Sequence, residues 1–220
     1  GGGGGAWRVV GSTGGGVESG RMAARSGEGS RISADGIPPL LTDESPGAPG
    51  AMDWNMADKT LLMLLDDVRN KTLKDLEGLD EAGARWAPTN LQNSCLWHGG
   101  HSYVVTEFLT ARALGREPKL PEGWLKMFSW ESNPAHVPPE EWPPLEVVVE
   151  ALKEQHERFR ALFSSLTDEQ LDAPEPGNPN RTARYGLMHG LHDEARHSGE
   201  VKLLRKLMLR TFIVAPASLN

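Results

Sequence analysis

The sequence predicts an all-α protein folded as an antiparallel four-helix bundle, with a long crossing rich in proline and tryptophan between the second and third helices. Four segments of roughly twenty residues carry apolar side chains at helical spacing. No segment alternates apolar and polar residues over a useful length, as a half-buried strand does, and no internal repeat is present. Amphipathic helices of this length bury their apolar faces by packing side by side in a bundle.

The chain begins with a segment that predicts disorder. Residues 1–51 contain glycine runs at 1–5 and 14–16 and the sequence PGAPG at 46–50, with few large apolar side chains. Such a segment cannot bury enough apolar surface to offset the entropy of ordering it. The bundle is therefore assigned to residues 52–212, between this Gly-rich tail and a short C-terminal tail at 213–220.

The first two predicted helices span residues 56–76 and 91–114, and glycines end both. In the first helix the apolar residues share one face: Leu61, Leu65, Val68 and Leu76. Charged residues fall between them: Asp66, Asp67, Arg69 and Lys71. The second helix ends at Gly115, as the first ends at Gly78.

The crossing at 117–144 contains seven prolines, too many for a long helix. The third helix is predicted at 145–166, and the sequence TDEQ at 167–170 predicts a capping-box turn after it. A loop, APEPGNPN at 173–180, then leads to the fourth helix at 182–210.

Charge and cysteine content exclude several classes of function. Lys plus Arg is 23 and Asp plus Glu is 30, for a net charge of −7 without a basic cluster, which argues against a nucleic-acid partner. The single cysteine, Cys95, excludes an intrachain disulfide and fits a reducing compartment. No apolar run predicts a membrane span or a signal peptide, so the expected location is the cytoplasm.

Histidines carry the strongest chemical signal. Of the seven, two lie on the second predicted helix and three on the fourth: His98, His101, His189, His192 and His197. Imidazole is the commonest metal ligand in proteins and carries protons near neutral pH. Clustering on two helices therefore indicates either a metal site or a proton-transfer site.

Helical spacing orders these candidates. Asp193 and His197 are four residues apart and share one face, and His189 continues that stripe, whereas His192 points elsewhere. On the second helix, His98 and His101 are three apart, and either can face the fourth helix. Two ligands from one helix and one from another leave coordination positions open, as in catalytic metal sites. The residues alone also fit a surface Asp–His pair and hydrogen-bonded histidines.

Two motifs resemble those of a known family, the DinB-like superfamily of DinB/YfiT-like four-helix metalloproteins. LWHGGHSY at 96–103, followed by EFL at 107–109, resembles its second-helix motif. HDEARHSGE at 192–200, followed by LLR at 203–205, resembles its fourth-helix motif. The resemblance extends over residues 52–210 and includes the order of helices and the long crossing.

The resemblance implies a metal site made by His101, Asp193 and His197. Its metal would be a divalent ion: zinc, nickel or iron. The family usually has histidine at the position of Asp193, although its mycothiol-dependent members use a carboxylate there. His189, His192 and His98 are therefore kept as reserve ligands.

For function, the resemblance implies a metal-dependent enzyme related to the mycothiol- and bacillithiol-dependent transferases and isomerases. Such an enzyme would act on a small-molecule substrate with a low-molecular-weight thiol as co-substrate, the metal activating the thiol or a water. Glu194 and Glu200 flank the ligands as candidate proton carriers or supporting carboxylates, or are simply solvated. The alternative is a non-catalytic metal-binding protein or a dimeric, stress-related binding protein; a homodimer fits either function.

Overall fold

The computed structural model describes residues 58–213. The predicted disordered segment 1–51 lies outside this range, as do residues 214–220. The described part contains seven α-helices: α1 (Lys59–Leu76), α2 (Glu81–Arg85), α3 (Cys95–Ala113), α4 (Trp124–Phe128), α5 (Leu145–Ser164), α6 (Asp168–Asp172) and α7 (Ala183–Ile213). Two antiparallel strands, β1 (Pro174–Glu175) and β2 (Asn178–Thr182), precede α7. The long helices α1, α3, α5 and α7 form the predicted bundle, which confirms the all-α fold.

Side-chain caps set where α1 and α3 begin. The Asp58 carboxylate accepts hydrogen bonds from the backbone N–H groups of Thr60 and Leu61 at the start of α1. Ser94 caps α3 by accepting from the Trp97 N–H at 3.3 Å. Because this cap fixes the first turn, α3 begins at Cys95 and the predicted start at residue 91 was wrong.

The structure contains short elements that the sequence-based prediction did not assign, beside others that it did. The segment 173–180 was predicted as a loop, but it forms most of the hairpin β1–β2, turned at Gly177 with φ of 78°. The crossing contains α4 and two 3₁₀ turns, Pro134–His136 and Pro139–Glu141.

The predicted capping box is present: Thr167 Oγ1 accepts from the Gln170 N–H, and Gln170 Oε1 accepts from the Thr167 N–H.

Helices α3 and α7 run antiparallel and pack closely. A Cβ atom added to Gly186 would lie 2.6 Å from the Ala113 Cβ, so this position has no room for a side chain. Further along, a Cβ on Gly190 would lie 3.6 Å from the Thr106 Cα. This close contact brings the histidines of the two helices to the same level.

A buried polar network connects the four long helices. Arg69 of α1 is fully buried; its Nε donates to Glu194 Oε1 of α7 at 2.7 Å and its Nη2 to Gln155 Oε1 of α5 at 2.8 Å. Gln155 Nε2 in turn donates to the Tyr103 carbonyl of α3 at 3.0 Å. The sequence pattern listed Arg69 among the charged residues between the apolar positions of the first helix, and the structure buries its side chain. Arg69 follows Leu65 by one helical turn and therefore lies on the buried face.

None of the helices within residues 58–213 has the length and apolarity needed to cross a membrane.

Candidate metal centre

The structure brings together the three residues selected from the sequence. His101 Nε2 of α3 lies 3.6 Å from Asp193 Oδ2 of α7, and His197 Nε2 lies 3.6 Å from the same oxygen. The three donor atoms are all within 4.8 Å of one another. Asp193 and His197 share a face because they are one turn apart on α7, as predicted.

The spacing of these atoms fits a metal ion better than a hydrogen-bond network. At 3.6 Å, neither imidazole nitrogen is within normal hydrogen-bonding distance of the Asp193 carboxylate. Ligand atoms bound tetrahedrally to one zinc ion at about 2.0–2.2 Å lie roughly 3.3–3.6 Å apart. Two imidazoles and one carboxylate are also the donor set that zinc, nickel and iron accept.

The orientation of His101 is fixed by the segment around α4. Its Nδ1 lies 2.6 Å from the Phe128 carbonyl oxygen, to which it donates, so Nε2 carries the free lone pair. Trp97 stacks on the imidazole with ring centroids 4.4 Å apart and an interplanar angle of 18°. The Trp97 Nε1 donates to the Met127 carbonyl and to Ser132 Oγ, at 3.2 and 3.0 Å. These contacts hold the His101 ring from two sides.

Gly100 is required for this arrangement. A Cβ atom at this position would lie 2.3 Å from the Phe128 ring. Only glycine lets α4 approach α3 closely enough for the Phe128 carbonyl to reach His101. The glycine next to the histidine motif is therefore explained by the packing of α4.

His197 is supported by a carboxylate. Its Nδ1 lies 2.6 Å from Glu200 Oε2, to which it donates, and its Nε2 therefore carries the free lone pair towards Asp193. His98 Nδ1 lies 3.0 Å from His197 Nδ1 and 3.2 Å from Glu200 Oε2. The sequence-based view of Glu200 as a supporting carboxylate agrees with these contacts.

His98, His197 and Glu200 form a second group that could hold a metal, on the other nitrogen of the His197 ring. The atoms in this group are only 2.6 to 3.2 Å apart, which are hydrogen-bonding distances. We interpret these contacts as the network that fixes the His197 tautomer. The candidate metal centre is the other group, in which His101 Nε2 and His197 Nε2 each lie 3.6 Å from Asp193 Oδ2.

Burial favours the neutral form of His197, a candidate ligand, and of its neighbour His98. Burial lowers the pKa of His98 to about 3, with further contributions from His197 and His101. The pKa of His197 is also lowered, by burial and by the neighbouring His101. Burial raises the pKa of Asp193, but its interaction with His101 and the charge of His197 outweigh this and lower it. Neutral imidazoles and an ionised carboxylate are the protonation states that bind metals.

Three other candidates lie elsewhere. Glu194 was expected beside the ligands, but it follows Asp193 directly and points about 100° away around the helix, into the bundle. It is fully buried there with both oxygens bonded to Arg69, so the expectation of a proton carrier is corrected. His192 is exposed, and His189 stacks on Tyr185 instead of joining either metal-binding group within residues 58–213.

Some supporting groups were not selected from the sequence. The Phe128 carbonyl carries no residue-type signal, because any residue provides one. Trp97 did carry a signal, since it precedes His101 by one turn and must lie on the same face. The contact of His98 with His197 depends on how α3 and α7 cross, which the sequence does not specify.

Comparison with known proteins identifies the family. The family model of the DinB superfamily matches residues 64–201, more than half of the chain. This bundle with a His/Asp centre between α3 and α7 therefore belongs to the DinB superfamily, which confirms the resemblance. No curated protein matches the sequence.

A solved structure, that of a conserved protein from Enterococcus faecalis, is similar to the chain with a TM-score of 0.52. It is 18% identical, and the match covers 68% of this chain and 95% of that one. At this identity the likeness supports the fold alone.

Proposed function

We propose that this protein is a divalent-metal-dependent enzyme, a transferase or isomerase that uses a low-molecular-weight thiol. The observation that carries the proposal is the convergence of His101 Nε2, Asp193 Oδ2 and His197 Nε2 at spacings too long for hydrogen bonds. Three protein ligands leave open coordination positions, the mark of catalytic metal sites.

The support around the ligands also favours this proposal. Metal-binding histidines usually donate their second ring nitrogen to a carbonyl or carboxylate, which fixes the tautomer. Here His101 has the Phe128 carbonyl and His197 has Glu200. A surface Asp–His pair would need neither partner.

When bound, a divalent ion lowers the pKa of a coordinated thiol or water and so makes a nucleophile available near neutral pH. The residues of the chain position that chemistry. Asp193 contributes the only carboxylate among the three ligands and reduces the net charge of the centre. Glu200 is half exposed and accepts a hydrogen bond from His197 Nδ1, so it connects the centre to solvent.

The proposal is tested with protein reconstituted separately with zinc, nickel and iron. Each form is incubated with bacillithiol or mycothiol and a panel of small electrophiles, and thiol consumption is measured. We expect metal-dependent turnover that His101→Ala abolishes and that the exposed loop variant His136→Ala retains. Metal-loaded protein that is silent across the whole panel would contradict the enzyme proposal and favour a non-catalytic metal-binding role.

A further inference from the structure

A cavity of about 250 Å³ lies between the crossing, α2 and the start of α3. Its apolar lining comes from Leu96 of α3 and from three residues of the crossing, Pro134, Val137 and Trp142. Leu96 is almost fully buried, and the other three side chains are partly buried. An apolar cavity of about 150 Å³ is already large enough to hold benzene. This cavity therefore has room for one aromatic ring and a small polar group.

Three polar side chains also line the cavity: Arg85, Gln92 and Ser94. All three can donate hydrogen bonds. Ser94 Oγ accepts from the Trp97 N–H at 3.3 Å, which leaves its hydroxyl proton for another acceptor. Within residues 58–213, neither the Gln92 amide nor the Ser94 hydroxyl donates to a protein group. The cavity therefore offers donors to a ligand that brings acceptor atoms.

Arg85 adds a positive charge to this set of donors. Its Nε donates to Glu81 Oε2 at 3.2 Å, and its Nη1 donates to the Pro139 carbonyl at 3.1 Å. Its Nη2 has only two long contacts, of 3.4 and 3.5 Å, with the carbonyl oxygens of Trp142 and Pro143. Hydrogen bonds of this length are weak, so Nη2 can donate to a stronger acceptor. A carboxylate is such an acceptor, because its hydrogen bonds to a guanidinium group are charge-assisted.

The Glu81 carboxylate does not cancel the charge of Arg85. Its Oε1 accepts from the Leu145 N–H at 2.6 Å, so only its second oxygen contacts the guanidinium group. The Glu81 side chain is also half exposed, and solvent screens an ion pair of this kind. A carboxylate held in the partly buried cavity is screened less.

The cavity is separate from the metal centre but shares the crossing with it. None of the residues that line the cavity is a candidate metal ligand. Ser132 Oγ of the crossing accepts from Trp97 Nε1, and the Trp97 ring stacks on His101. Pro134, which lines the cavity, lies two residues further along the chain. A ligand in the cavity would therefore lie against the segment that also holds the Trp97 ring.

We propose that this cavity binds a small aromatic carboxylate, with its ring against Pro134, Val137 and Trp142 and its carboxylate on Arg85. A flat ring suits this lining, because an indole packs favourably against another aromatic ring. Gln92 and Ser94 supply donors for the second carboxylate oxygen. The inference goes beyond the proposed function and does not depend on it, because it involves no metal ligand.

The test compares benzoate with benzamide, which has the same shape but no charge, on the full chain loaded with zinc. Two-dimensional nitrogen–proton NMR gives both the dissociation constant and the location of the ligand. Benzoate should shift the backbone signals of Gln92 and Val137 and the indole signal of Trp142. From these signals, we expect a dissociation constant of about 1 mM for benzoate and binding about tenfold weaker for benzamide.

Two variants separate the charge from the space. Arg85→Gln should abolish the preference for benzoate, because glutamine keeps donors but lacks the positive charge. Arg160→Gln is the matched control, since Arg160 is also an exposed helical arginine paired with a carboxylate, that of Asp66, and does not line the cavity. It should keep the full preference. Val137→Phe should weaken the binding of both compounds by about tenfold or more, because the larger side chain fills the cavity.

Three results would overturn the inference: no binding of benzoate, equal affinity for benzoate and benzamide, or a preference that Arg85→Gln leaves unchanged. Shifts confined to Asp193 and His197 would place benzoate on the metal and would overturn it as well. None of these results affects the metal-dependent function. Conversely, zinc-loaded chain that binds benzoate as expected but is silent with thiols would contradict the proposed function and leave this inference standing.

Discussion

Replacing Glu200 by glutamine isolates the carboxylate that supports His197. In the wild type, His197 Nδ1 donates to Glu200 Oε2 at 2.6 Å, a short charge-assisted hydrogen bond. Glutamine keeps the size of the side chain and can still accept a hydrogen bond through its oxygen, but it removes the negative charge, so it favours less strongly the tautomer whose Nε2 lone pair faces Asp193. Removing a partner of this kind commonly weakens metal binding by about 10- to 100-fold.

The structure places the expected loss at the lower end of that range. The Glu200 side chain is 50% exposed, so solvent screens its charge. We expect zinc affinity to fall by about tenfold, or about 1.4 kcal/mol, in competition titrations with a chromophoric chelator. The cobalt-substituted protein should also change its visible absorption, because the geometry at His197 is less constrained.

Glu150→Gln is the matched control, since Glu150 is also an exposed helical carboxylate, paired with Lys153. It should leave the zinc affinity unchanged. If Glu200→Gln binds zinc as tightly as the wild type, Glu200 does not orient His197 and the interpretation of the outer network is wrong.

Three further predictions concern the apo-protein and its packing. Arg69→Ala leaves the Glu194 charge buried without its partner and should destabilise the protein by about 3–5 kcal/mol in urea unfolding. The double variant R69M/E194L should lose clearly less stability, because no buried charge remains. Equal losses of stability would contradict the buried ion pair. The free energy of unfolding should fall as pH drops below about 6.5, by about 2 kcal/mol at pH 5, because the pKa of His98 is about 3 in the folded state and near 6.5 in the unfolded state. The variant His98→Gln should flatten this pH profile. An unaltered slope would show that the buried His98 is not the group responsible. Gly100→Ala should destabilise the protein by about 1–3 kcal/mol, because the added methyl group would overlap the Phe128 ring. It should also weaken zinc binding, because the Phe128 carbonyl orients His101. Gly199→Ala, where the added carbon meets no atom within 4 Å, should do neither.

The long helices could be predicted because their apolar periodicity is a local property of the sequence. Leu145, Val148, Leu152, Phe159 and Phe163 are all buried on one face of α5. Short elements depend on contacts that lie outside this pattern. The five-residue helix α4 is held by packing against Gly100, which no local propensity encodes.

The candidate ligands could be selected because Asp193 and His197 are close in the sequence and their spacing fixes a common helix face. Their supporting groups come from distant parts of the chain. Glu194 shows the limit most clearly: one position separates it from Asp193, yet Arg69, far away in the sequence, makes it a buried structural residue. Helical periodicity turns Glu194 away from Asp193, and the packing of α1 against α7 supplies its buried partner, Arg69.

The metal content of the purified chain tests the central claim most directly. After reconstitution with zinc and removal of loosely bound ion, elemental analysis should give about one ion per chain, because the three donors converge on one point. His101→Ala and His197→Ala should each abolish stoichiometric binding, and Asp193→Ala should weaken it. Asp193→His should preserve or strengthen it. Wild-type protein without metal, or metal that survives the loss of His197, would contradict the account.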